Sequence, residues 1–79
     1  MAASKGSRLV AAIDLIYRCM HDETIVSRAD RLDHAHDMLI KKLQGDPAEI
    51  AEAWDMAAAL GFVSRVEAEM FIPQPLVQD

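Results

Sequence analysis

One cysteine, Cys19, excludes an internal disulfide and suits a reducing, cytoplasmic setting. Aromatic rings are nearly as scarce: Tyr17, Trp54, Phe62 and Phe71 are too few to stack the successive bases of a single strand. Cations are outnumbered, 8 Lys and Arg against 13 Asp and Glu, for a formal charge of −5 and a pI near 5.0. Phosphate backbones are neutralised by clustered cations, so direct nucleic-acid binding is disfavoured and a basic protein is the better electrostatic partner. Long apolar runs are absent too. Leu9–Ile13 is cut by Asp14, short of a signal-peptide core, and nothing approaches the ~18 apolar residues of a membrane span. Nor is there a catalytic signature: Cys19 and His21 are the nearest approach to a nucleophile and base, and side chains at that spacing diverge on a helix. No enzymatic activity and no cofactor are expected.

What remains is apolar and helical in pattern. Hydrophobic residues make up 52% of only 79 positions, whereas a chain of this size buries about 60% of the surface its unfolded form exposes. Part of the apolar surface is therefore expected to meet another chain, as a homodimer seam or a groove for a partner helix. A single domain over 1–79 is expected, with a loose lead-in at 1–6 and an extended tail at 73–79.

Leu9, Ile13, Ile16 and Met20 recur at helical spacing, with Val10 and Tyr17 beside them, and predict a first amphipathic helix from about Arg8 to Met20, capped by Ser7. Ala12, Leu15 and Cys19 form a second apolar flank on it, enough for two neighbours. His21-Asp22-Glu23-Thr24 reads as a connection. Ser27, with Asp30 three residues on, caps a second helix that runs to Gln44 and turns Ile25, Ala29, Leu32, Leu39, Ile40 and Leu43 inward; Thr24 is the rival cap. Gly45-Asp46-Pro47-Ala48-Glu49 spells helix stop and start: Gly at C′, Asp at N-cap, Pro at N1, Glu at N3. The third helix, Pro47 to Leu60, presents Ile50, Ala53, Trp54, Ala57 and Leu60. Gly61 ends it, Ser64 with Glu67 opens a short fourth helix, and Pro73 stops that helix by about Ile72. The fold expected is all-α, a small bundle of three main helices plus a short fourth.

Val26-Ser27-Arg28 recurs as Val63-Ser64-Arg65, which suggests two helical hairpins built on one plan. The second of these corners, Ala57 to Arg65, resembles a helix-turn-helix. Its would-be recognition helix carries Glu67 and Glu69, acids that oppose phosphate contact, so a transcriptional regulator is a lesser expectation.

The densest polar cluster is Asp30-Arg31-Leu32-Asp33-His34-Ala35-His36-Asp37. On a helix Asp30, His34 and Asp37 share a side, a weak candidate metal set that matches neither a His-Glu-x-x-His zinc motif nor the Glu-x-x-His pairs of di-iron bundles. Solvated acids and helix pairs such as Asp37 with Lys41 account for the same residues. His36 falls in the apolar stripe between Leu32 and Leu39, where a half-buried neutral imidazole hydrogen-bonded to a neighbouring helix is expected.

Partner contacts are expected on an acidic side, Glu23, Asp30, Asp33 and Asp37, and on apolar anchors, Leu15, Met38, Met56, Met70 and Phe71. The functional expectation is a small acidic module that binds a basic protein as an adaptor or inhibitor. Its size and charge would suit a phage- or mobile-element-type inhibitor of a host nucleic-acid-binding factor.

Overall fold

The computed structural model describes residues 5–72. It is all-helical: α1 Lys5–Met20, α2 Arg28–Lys42, α3 Pro47–Ala59 and α4 Arg65–Glu69. Helix α1 packs against α2 and α3, and α4 packs against α3, so the chain closes as two hairpins that meet through α1 and α3. Residues 1–4 of the expected lead-in and the expected tail at 73–79 lie outside the described residues. The first helix starts at Lys5, three residues before the expected start at Arg8, which places Gly6 and Ser7 inside it. Adding residues to an existing helix is cheap compared with nucleating one, so an extension through Gly6 and Ser7, both exposed, is sustained.

The buried arc of α1 is Ala12, Ile16, Cys19 and Met20, while Val10 is 67% and Tyr17 43% exposed. The arc is turned toward the Ala12–Cys19 flank because α1 serves two neighbours and the second contact claims that flank. Ala12 and Cys19 are thus core rather than surface. Burial, reinforced by the nearby Asp22 carboxylate, pushes the Cys19 thiol above its ordinary pKa and keeps it protonated and unreactive.

On α2 the inward residues are Leu32, Ala35 and Leu39, continued by Leu43. Ala29 and Ile40 stand on the margin and are exposed, contrary to the stripe expected from the sequence. Ser27 is the N-cap, its hydroxyl accepting from the Asp30 N–H at 3.4 Å. Thr24 instead closes the preceding loop by donating its N–H and hydroxyl to Asp22. The far end of α2 corrects the sequence reading. The Gly45 N–H reaches the Ile40 carbonyl at 2.8 Å and the Gln44 N–H faces the Lys41 carbonyl at 3.4 Å, so C′ is Gln44, at φ 56°, and Gly45 follows at C″. A non-glycine residue in the left-handed region costs about 1 kcal/mol. Gln44→Gly is accordingly expected to stabilise the protein by about 0.5–1 kcal/mol, read as a raised midpoint in urea unfolding.

Helix α3 begins as its sequence dictates. Asp46 accepts from the Ala48 and Glu49 N–H groups at 3.0 and 3.3 Å, with Pro47 at the first helical position. It ends in a second Schellman turn, Phe62 N–H to Ala57 carbonyl at 2.9 Å, with Gly61 at φ 84°. Ser64 and Glu67 form a reciprocal capping box for α4. Glu67 also takes a two-pronged contact from Arg28, Nε at 2.6 Å and the terminal nitrogen at 2.8 Å, which clamps the start of α2 to α4. Those hydrogen bonds, with the Ser64 N–H, hold the Glu67 carboxyl down to about 2.

Trp54, Ile16, Leu39 and Leu43 are the largest side chains fully inside. Around them Ala12, Ala35, Ala53, Ala57 and Ala68 have no exposure at all. Small residues on each of the four helices let the backbones approach closely, and the large ones fill what is left.

An acid-flanked groove

Three rings gather where α2, α3 and the segment after α4 meet. Phe71 lies over both His36 and Trp54, its centroid 4.5 Å from the imidazole and 4.6 Å from the indole, stacked on each. The indole Nε1–H donates to His36 Nδ1 at 3.2 Å. This fixes the imidazole as neutral, with its proton on the other nitrogen, and realises the half-buried, cross-linked histidine expected between Leu32 and Leu39. Phe71 arrives because α4 is one short turn, which returns the chain over α3.

Beside the stack opens a groove of about 280 Å³ lined by His36, Ile40, Gly45, Pro47, Ile50 and Phe71. Ile50, 6% exposed, is its floor, and Ile40, 41% exposed, its outer wall. A Cβ added at Gly45 would meet nothing within 4 Å, so that side is open. Burial lowers the pKa of His36, while Asp33 and Asp37 pull it the other way. Those carboxylates are thus close enough to act on the groove. Asp37 pairs with Lys41 at 3.4 Å, whereas Asp33 has no salt-bridge partner among the described residues.

A protonated His36 would turn its Nδ1 acceptor into a donor and lose the indole bond. The unfolded chain takes up this proton near pH 6.5, before the native state does, so stability is full above that pH and falls as the pH drops through it. Urea unfolding at about pH 7 and about pH 5 is expected to show a loss of at most about 1.4 kcal/mol per pH unit. His36→Asn, whose carboxamide oxygen can still accept from the indole, is expected to flatten that dependence; equal slopes in both proteins would show that His36 is not its source.

The acids named from the sequence spread over two regions. Asp30, Asp33 and Asp37 are exposed on α2, and Glu23 is exposed in the loop before it. Among the described residues no three His, Cys, Asp or Glu side chains converge as a metal site, and Asp30, His34 and Asp37 fan outward instead. Of the apolar anchors expected, Phe71 alone lines the groove. Leu15 packs on the core from α1, Met38 and Met56 are half-buried on different helices, and Met70 is 64% exposed. Ile40, Pro47 and Ile50 were not singled out as contact residues by the sequence; the helix-break signal at Gly45-Asp46-Pro47 marked the place without marking a hollow.

The helix-turn-helix resemblance meets an α4 of 5 residues, in which Glu67 is held by Arg28 and Arg65 is paired with Asp55 at 2.7 Å. No helix among the described residues is long and apolar enough to cross a membrane. Comparison with known proteins finds no matching family model, no matching curated protein and no matching solved structure.

Proposed function

We propose that this chain is a non-enzymatic, cytoplasmic protein-binding module that acts as an adaptor or inhibitor by taking an apolar, positively charged segment of a partner. The observation that carries the reading is the groove walled by His36, Ile40 and Phe71 with Asp33 and Asp37 beside it. An apolar side chain fills the hollow and desolvates the rings, while a Lys or Arg next to it meets Asp33 or displaces Lys41 from Asp37. Apolar anchoring supplies the affinity. The net charge of −5 speeds encounter with a basic protein and repels acidic competitors.

The test is capture from a native lysate of the source cells on the immobilised protein, run side by side with Asp33→Lys/Asp37→Lys and with Ile40→Glu. One basic protein retained in stoichiometric amount, released by salt and lost with both variants, is the expected result. A retained set that is the same for all three proteins, or no retained protein at all, would overturn the reading.

A further inference from the structure

Every backbone N–H that borders the acid-flanked groove is already spent. Those of His36 and Ile40 lie inside α2. Gly45 donates to the Ile40 carbonyl at 2.8 Å, Ile50 to Asp46 at 3.0 Å and Phe71 to Ala68 at 3.0 Å, while Pro47 has no N–H to give. The side chains of Ile40, Pro47, Ile50 and Phe71 are apolar, so the one polar side chain in the lining is the imidazole of His36.

That imidazole has a single atom left to offer. An indole N–H can only donate, so Nδ1, which receives it at 3.2 Å, carries no proton and the neutral ring holds its hydrogen on Nε2. Nε2 has no hydrogen-bond partner among the described residues, and it is not sealed from water. The indole fixes one edge of the ring, and the Phe71 ring, 4.5 Å away, covers one face. The donor is therefore held in place before anything binds.

The groove thus presents apolar walls, one fixed N–H, and the carboxylates of Asp33 and Asp37 near it. An occupant without an acceptor strips water from Nε2–H and leaves it unpaired, at the full cost of desolvation. An ionised carboxylate satisfies the N–H but meets two like charges. A neutral carbonyl satisfies it without that repulsion. Granting that the groove binds an apolar, positively charged segment, we infer that the segment places a backbone carbonyl on His36 Nε2–H, beside its apolar side chain and its Lys or Arg. His36 then decides which apolar cations bind: peptides are taken, and amines without a carbonyl are discriminated against.

Two probes that share the leucine side chain and a positive charge test this: the capped peptide acetyl-leucyl-lysine N-methylamide, and isoamylamine, which has no carbonyl. Each is titrated by proton–nitrogen NMR into the parent and into His36→Asn at about pH 7.5, where the imidazole is neutral. Asparagine keeps an acceptor for the indole but is too short to put an N–H where Nε2 stands. The peptide is expected to shift the His36 Nε2 resonance in the parent, and the amine to leave it in place. In His36→Asn the preference for peptide over amine is expected to fall about 3- to 10-fold. The Nε2 shift is read in the parent, so it stands whether or not the variant folds. A peptide that binds the parent without moving Nε2, or that loses no more than the amine in a folded His36→Asn, would overturn the carbonyl contact and leave the groove as a site for apolar cations. Failure of both probes to bind the parent at millimolar concentration would overturn the carbonyl contact and the groove's role together.

Discussion

Trp54→Ala is expected to leave the chain largely unfolded at 25 °C, seen as loss of most of its far-ultraviolet helical signal. The indole has no exposed surface, stacks on Phe71 and donates to His36. Deleting a buried aromatic of this size costs about 3–5 kcal/mol, and a domain this small seldom has more than about 3–5 kcal/mol in total. The alanines at the helix contacts cannot fill the hole, because each is itself fully buried and already in contact. Trp54→Phe separates the two roles of the indole. It keeps a ring against Phe71 but removes the donor, leaving His36 Nδ1 without its partner, and is expected to cost about 1–2 kcal/mol while remaining folded. If Trp54→Ala retained a cooperative unfolding transition within about 1 kcal/mol of the parent, the indole would not be the centre of the core.

What was legible in the sequence was local. Asp46, Pro47, Gly61 and the Ser64–Glu67 pair announce helix ends because each satisfies a neighbouring backbone group, and all four perform those roles. The direction of each apolar face was harder to read. A periodic stripe gives an angle on one helix but not which flank lies deepest: the second apolar flank of α1 rightly implied two neighbours, yet contact with α2 and α3 buries Ala12 and Cys19 on that flank and leaves Val10 and Tyr17, placed beside the stripe, exposed. Gln44 was missed as C′ because glycine next door is the statistically better occupant, and only the hydrogen-bond pattern reveals which residue bends. The groove has no sequence signal of its own: it exists because Phe71, beyond a one-turn helix, comes back to lie on Trp54 and His36. His36 is the exception. One polar residue on an apolar stripe implied a partner across the interface, and the indole is that partner.

The second large effect is expected at Arg31, a charged residue of α2. Its guanidinium is turned inward to the backbone of the first corner, with Nε donating to the Ile25 carbonyl at 2.6 Å and a terminal nitrogen to the Met20 carbonyl at 3.1 Å. Met20 is the last residue of α1, whose carbonyl has no partner within the helix and whose end carries the negative pole of the helix dipole. One side chain of α2 thus closes both the end of α1 and the loop that leads into α2. Arg31→Ala strands two partly buried carbonyls and is expected to cost about 2–3 kcal/mol, with faster amide exchange at the end of α1 and in the loop over 21–27. Arg31→Lys is expected to recover less than half of that. An ammonium is a single point of charge, while the guanidinium spans both acceptors from a fixed fork. A loss below about 0.5 kcal/mol in Arg31→Ala would mean that water replaces the guanidinium at both carbonyls. The corner would then be held by the Asp22–Thr24 turn and the Arg28–Glu67 pair, and exchange in the loop would respond to Glu67→Gln rather than to Arg31.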